Sequence, residues 1–182
     1  MTTEELYDKL KLIQKMKCET QNLELKSAEQ GYPKRLYDSL SSFSNQDDGG
    51  IIVFGIDEKQ DYKEVGVYDA QDIQKKINEQ CLQMNPVVRP LITVVEKENK
   101  KFVSAEIPGI DMADRPCYYQ GRGRLKGSYT RIGDSDEPMT EYEIYSYEAY
   151  RRKYQDDIRE VPRVTLMSLD QEELNRYVEL LK

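Results

Sequence analysis

The stretch ETQNLELKSAEQGYPKRLYDSLSSFSNQDDGGIIVFGID, residues 19–57, decides which fold the chain is expected to adopt. Leu23–Lys26 alternates apolar and charged residues, which is typical of a half-exposed strand. Pro33–Asn45 has the apolar spacing of an amphipathic helix, and Gly49-Gly50 can take positive φ and turn the backbone sharply. Ile51–Ile56 is a continuous apolar run, which predicts a central strand buried on both faces. The stretch therefore predicts two strands joined through one helix.

The rest of the chain is expected to supply further helices and strands around this centre. Apolar residues at helical spacing, with two capping boxes at Thr2 and Thr140, predict helices at residues 3–16, 73–84, 140–154 and 171–182. Apolar or alternating runs predict strands at residues 64–67, 91–98, 101–107, 117–119 and 128–132. The glycine-rich segment 121–127 is expected to be a mobile loop or a hairpin turn.

Length and composition indicate one domain with an appended segment. The chain has 182 residues, 38% hydrophobic and 34% charged, and no apolar run is long enough to cross a membrane. Residues 1–154 are expected to form the domain, and residues 155–182 a linker and the first helix of a C-terminal region absent from this chain. Three isolated cysteines, Cys18, Cys81 and Cys117, indicate a reducing, cytoplasmic setting.

The sequence contains no histidine, and this narrows the chemistry that the protein could perform. Ser-His-Asp and Cys-His catalysis and HExxH zinc sites all require an imidazole. Any catalysis would therefore use carboxylates, lysine, tyrosine or arginine, with an oxygen-ligated metal as an option.

Three acidic residues lie on or beside the two predicted strands: Glu19, Glu24 and Asp57. Clustered carboxylates suit Mg²⁺ or Mn²⁺, because these hard cations prefer oxygen ligands. If the strands pair, the carboxylates could converge on one edge. The alternative is structural: Glu24 pairs with Lys26 or an arginine, Asp57 opens a turn, and Glu19 is solvated.

A basic segment interrupts an otherwise acidic chain whose net charge is −7. Between residues 115 and 133 there are five basic side chains and no acidic one: Arg115, Arg122, Arg124, Lys126 and Arg131. Such residues along a glycine-rich loop suit phosphate contacts, and Tyr118, Tyr119 and Tyr129 could stack on bases. The alternative is a solvated hairpin whose charges balance an acidic body.

Several short motifs follow one another in a specific order along the chain. The set comprises Glu19-x₄-Glu24 followed by Leu25-Lys26, then LSSFSN at 40–45, GGIIVFGID at 49–57, VGV at 65–67, RPCY at 115–118 and SYTRIGDS at 128–135. Each motif is short, but several in this order are specific, and together they resemble the Schlafen/AlbA-like DNA-binding domain family over roughly residues 19–154.

The resemblance implies an α+β fold, a single lobe with a mixed β-sheet flanked by helices. It also implies nucleic acid as the partner, with DNA favoured over RNA, in a cytoplasmic bacterial transcriptional regulator. The phosphate contacts would fall to the basic segment through Arg115, Arg122, Arg124, Lys126 and Arg131, with Tyr129 beside them.

A related Schlafen core acts as a metal-dependent RNA endonuclease, which gives a second reading of the same chain. By this resemblance Glu19, Glu24 and Asp57 would bind Mg²⁺ or Mn²⁺, and Lys26 would assist at the scissile phosphate. That nuclease uses two lobes, and a homo-oligomer of this single lobe, such as a dimer, could supply the second. A third alternative is a dimerisation or sensor module in which the acids are structural.

Overall fold

The computed structural model describes residues 1–156 and 170–180, so the predicted linker falls largely outside the described residues. The helices are α1 (Thr3–Met16), α2 (Tyr37–Ser44), α3 (Ala70–Cys81), α4 (Gly123–Gly127), α5 (Glu141–Asp156) and α6 (Gln171–Leu180). The strands are β1 (Leu23–Lys26), β2 (Gly50–Phe54), β3 (Ile56–Asp57), β4 (Lys63–Glu64), β5 (Met84–Asn85), β6 (Leu91–Lys97), β7 (Lys100–Ile107), β8 (Tyr118–Tyr119), β9 (Tyr129–Ile132) and β10 (Ser135–Pro138).

Four strands form the central sheet in the order β1-β2-β7-β6. β1 and β2 run parallel, while β7 is antiparallel to both β2 and β6. The remaining strands form two-stranded ladders, β3 with β4, β5 with β8, and β9 with β10. The expected α+β fold with a mixed sheet is therefore confirmed, and the apolar run after Gly49 is an interior strand, as predicted.

Helices cover both faces of the sheet. Successive residues of β2 point in opposite directions and therefore pack against different helices. Val53 packs with Leu6, Leu10 and Ile13 of α1 on one face. Ile52 and Phe54 join the other cluster, which contains buried residues of α2 and α3. The predicted helix at 3–16 is confirmed as α1, and its capping box between Thr2 and Glu5 is present. We infer that α1 belongs to the same folded unit as the sheet.

The Gly49-Gly50 turn into β2 works differently from the prediction. Gly49 has φ 63°, and a Cβ there would lie 2.1 Å from the Ile107 carbonyl oxygen. Gly50 has no positive φ; it is needed because a Cβ would lie 2.3 Å from the Phe43 ring. One glycine therefore makes the turn and the other lets α2 approach the sheet. Gly55, at φ 107°, divides the apolar run into β2 and β3.

Other elements differ from the sequence expectations in extent. Residues 121–127 form a 3₁₀ turn and the short helix α4 rather than a loop or hairpin turn. The third helix ends at Cys81, since Met84 enters a ladder with Tyr119. β10 was not predicted, because its sequence SDEP lacks an apolar alternation. Among the described residues, no helix is long and apolar enough to span a membrane.

Candidate nucleic-acid interface

The polar face of α2 holds the basic segment in place. The Asn45 side-chain amide donates to the carbonyl oxygens of Cys117 and Tyr129, each at 3.0 Å, and accepts from the Cys117 N–H at 2.6 Å. The Ser41 hydroxyl donates to the Cys117 carbonyl at 2.7 Å and accepts from the Tyr129 N–H at 2.8 Å. Both side chains are buried, so these bonds fix the backbone on either side of residues 120–126, most of which are exposed.

Arg131 joins the same assembly through buried charges. Its guanidinium donates to Glu24 at 2.8 Å and to Asp136 at 2.9 Å, and it lies 5.0 Å from the centre of the Phe43 ring. Only 1% of the Arg131 side chain is exposed. Arg131 therefore ties β9 to β1 and is not accessible to a phosphate in this structure.

Residues outside the predicted site complete this network. Asp136 also accepts hydrogen bonds from the hydroxyls of Ser39 and Ser42 on α2, at 2.6 and 2.5 Å. The sequence signal for these partners is the cluster of serines on α2, a helix whose serines are buried together with its apolar residues. Buried hydroxyls require hydrogen-bond partners, so the serines predict a second polar layer over α2.

Glu24 on β1 and Glu19, which precedes that strand, also have partners within the protein. Glu24 is paired with Lys26 as well as with Arg131, so each of its oxygens has a cationic partner. Glu19 accepts a hydrogen bond from the Leu25 N–H at 2.6 Å and is partly buried rather than solvated. Burial, together with the nearby charge of Glu24, raises the pKa of Glu19 to about 7.

The third predicted ligand, Asp57, binds its own turn. One carboxylate oxygen accepts from the Lys59 N–H at 3.0 Å, and the other from the Gln60 side chain at 2.6 Å. Within residues 1–156 and 170–180, no three acidic or cysteine side chains are grouped so that they could hold a metal ion. The oxygens of Glu24 and Asp57 are bonded to protein partners, so in this structure the three predicted ligands do not form a Mg²⁺ or Mn²⁺ site.

The six residues expected to contact nucleic acid separate into two groups. Arg115, Tyr129 and Arg131 are each 5% exposed, and Arg115 is held by Asp47 at 2.6 Å. Their predicted contact with phosphates or bases does not agree with this placement, because they form part of the scaffold. The other three, Arg122, Arg124 and Lys126, lie exposed on the 3₁₀ turn and on α4.

Two of the exposed cations have partners within the protein. Arg124 forms an ion pair with Glu148 of α5, in which 44% of the arginine side chain remains exposed. Arg122 donates to the hydroxyl of Tyr129 at 2.9 Å. Surface ion pairs contribute little stability, so a phosphate could compete with Glu148 for Arg124 at small cost.

An aromatic pair that the sequence analysis did not identify lies beside these cations. The rings of Tyr37 and Tyr119 are stacked, with centroids 4.3 Å apart and an interplanar angle of 13°. The guanidinium carbon of Arg122 lies 5.2 Å from the centre of the Tyr37 ring, and that of Arg35 lies 5.9 Å from it. Arg35 thereby adds a fourth basic side chain next to the exposed group.

Comparison with known proteins agrees with this fold. The family model for Schlafen, AlbA_2 matches residues 19–140. The N-terminal domain of an ATP-dependent DNA helicase RecG-related protein from Nitrosomonas europaea, solved by solution NMR, is 26% identical with a TM-score of 0.56, covering 73% of this chain and 92% of that one. The DIP2311 protein from Corynebacterium diphtheriae is 18% identical with a TM-score of 0.49, covering 72% of this chain and 24% of that one. No curated protein matches the chain significantly.

The fold and the polar scaffold around α2 thus define a single α+β lobe that presents a basic edge. Since the family model covers most of the sequence, the chain belongs to the Schlafen, AlbA_2 family. The resemblance identified from the ordered motifs is confirmed.

Proposed function

We propose that this domain binds nucleic acid, with DNA as the first candidate, and that it serves in a bacterial transcriptional regulator. The observation that carries the proposal is the set of three exposed cations, Arg122, Arg124 and Lys126, on one short turn and helix of a chain with net charge −7. The family and the DNA-helicase-related neighbour support the same class of ligand.

The charge distribution explains how an acidic protein could bind a polyanion. Affinity for nucleic acid depends on local cations that displace counterions from phosphates, rather than on the net charge of the whole chain. The backbone that carries the cations is held in place, because Ser41 and Asn45 bond to it on both sides. A cluster on an ordered backbone loses less conformational entropy on binding than one on a mobile loop.

The test is a titration of fluorescent duplex DNA and structured RNA from about 50 to 200 mM salt. We compare the parent with a variant that carries Arg122→Ala, Arg124→Ala and Lys126→Ala. If each cation contacts one phosphate, the slope of log affinity against log salt should fall by roughly 2 to 3. The single reversal Lys126→Glu, on an exposed side chain, should weaken binding without affecting folding.

A matched control removes three exposed lysines elsewhere: Lys11→Ala, Lys15→Ala and Lys59→Ala. It lowers the net charge by the same amount, and we expect it to keep the salt slope. Equal slopes for the parent and the Arg122/Arg124/Lys126 variant would refute the proposed contacts. Nothing in the geometry of Glu19, Glu24 and Asp57 favours the endoribonuclease alternative.

A further inference from the structure

We infer that the proposed binding surface recognises single-stranded rather than duplex nucleic acid, with an unpaired base stacking against the Tyr37–Tyr119 pair. This inference rests on the proposed function and specifies the form of its ligand. The aromatic pair and the exposed cations form one continuous surface, since Arg122 contacts Tyr37 and directly precedes α4.

The aromatic pair is ordered before any ligand arrives. Tyr37 is the first residue of α2, and Tyr119 pairs with Met84 in the β5–β8 ladder. Both rings pack partly buried against the larger core cluster. Because the rings are fixed by the fold, a base that stacks on them would not have to order flexible side chains.

Gly121 packs closely against the Tyr119 ring and helps to hold it in place. A Cβ at position 121 would lie 2.6 Å from the ring and from the hydroxyl of Tyr119, so a larger residue there would displace the ring. Two guanidinium groups stand at the other end of the pair, and 57% of the Arg35 side chain is exposed. The surface thus combines an aromatic pair with cations. Sites that bind single strands combine base stacking on aromatic rings with the attraction of cations for the phosphate backbone.

The bases of a duplex could not stack on the aromatic pair. Its bases already stack on one another and offer only their edges in the grooves. Groove reading by a helix places residues from several turns against the bases, whereas the cations here lie on a 3₁₀ turn and a helix of five residues. A single strand can contact both the rings and the cations.

The experiment compares a single-stranded oligonucleotide of about 16 nucleotides with the same sequence in a duplex, as DNA and as RNA. The parent should bind the single strand more tightly at equal salt. Tyr119→Leu and Tyr37→Leu should each weaken single-strand binding by about tenfold and should weaken duplex binding much less. Tyr119→Phe and Tyr37→Phe keep the ring and should bind as the parent does.

Tyr68→Leu is the matched control, because Tyr68 is an exposed tyrosine with Lys76 lying 5.6 Å from its ring, outside the proposed surface. A second readout is a single strand that contains 2-aminopurine, whose fluorescence should change with the parent and with Tyr119→Phe but not with Tyr119→Leu. The inference is overturned if duplex and single strand bind equally, or if the Leu and Phe variants behave alike. Absence of salt-dependent binding to either form would instead refute the proposed function itself.

Discussion

Arg131 and Glu24 form a buried ion pair, with 2.8 Å between nitrogen and oxygen, that joins β9 to the first strand of the central sheet. Only 1% of the Arg131 side chain and 8% of the Glu24 side chain are exposed. Asp136 and Lys26 extend the pair on either side. Two residues predicted for different functions, one for phosphate contact and one for metal, are therefore partners of each other.

Removal of Arg131 should destabilise the protein strongly. Arg131→Met would leave Glu24 and Asp136 buried without their common cation, which costs about 3–5 kcal/mol of unfolding free energy. Urea denaturation measures this loss, and Arg152→Met on the exposed surface of α5 serves as the control, with an effect within about 0.5 kcal/mol. A loss for Arg131→Met as small as that of the control would contradict the structural role.

Truncation of Asn45 should loosen the basic segment. Asn45→Ala removes four side-chain hydrogen bonds and leaves the buried Cys117 N–H without its partner, so we expect a loss of about 3 kcal/mol. Hydrogen exchange should show faster exchange at the Cys117 amide than in the parent. Asn78→Ala, on the exposed side of α3, should change neither quantity. Unchanged protection of Cys117 in Asn45→Ala would count against this role.

The raised pKa of Glu19 predicts a defined pH dependence of stability. Between its ordinary value of 4.5 and about 7, the folded protein keeps a proton on Glu19 that the unfolded chain has released. The free energy of unfolding therefore falls as pH rises through this window and levels off above it. Glu19→Gln keeps an acceptor for the Leu25 N–H but cannot ionise, so it avoids this loss.

We expect Glu19→Gln to match the parent near pH 4.5 and to exceed it above pH 7 by roughly 1–2 kcal/mol, a figure reduced for solvent screening of a partly exposed group. Urea denaturation at a series of pH values measures the difference. Glu29→Gln, at an exposed position, is the control. A constant difference between Glu19→Gln and the parent across the window would show that burial does not raise the pKa of Glu19.

Release of Arg124 from its ion pair should strengthen nucleic-acid binding. Glu148→Gln removes the carboxylate that competes with phosphate for Arg124, so affinity should rise about two- to fivefold at low salt. Glu141→Gln, on the same helix, changes the net charge equally and should have a smaller effect in the same fluorescence titration. Equal gains from both variants would assign the effect to net charge alone.

Local patterns were sufficient for much of the fold. The capping box at Thr2 and the apolar spacing after it predicted α1 with the bounds that the structure shows. The alternation at Leu23–Lys26 and the apolar run after Gly50 predicted the two strands that the structure pairs in parallel. These signals depend on residues close in sequence, where helix and strand periods determine which side chains share a face.

The candidate site could be predicted only in part. The sequence located the basic segment, but not which of its residues would be buried. Arg131 meets Glu24 across 107 positions of sequence, and Tyr37 meets Tyr119 across a comparable separation, so no local pattern reports either contact. For Glu24 and Asp57 the structure agrees with the alternative in which these acids are structural: Glu24 pairs with Lys26 and Arg131, and Asp57 binds its own turn.

By itself, then, the sequence determined most of the helices and strands, the sheet's central strands and the family, because periodicity, capping and ordered motifs depend on neighbouring residues. Only the tertiary structure decided the roles of the charged residues. A buried charge must find a partner at hydrogen-bond distance, and Glu24, Asp47 and Asp136 became partners of Arg115 and Arg131 only when β9, α2 and the sheet came together. Arg122, Arg124 and Lys126 stayed exposed because that packing left α4 at the surface.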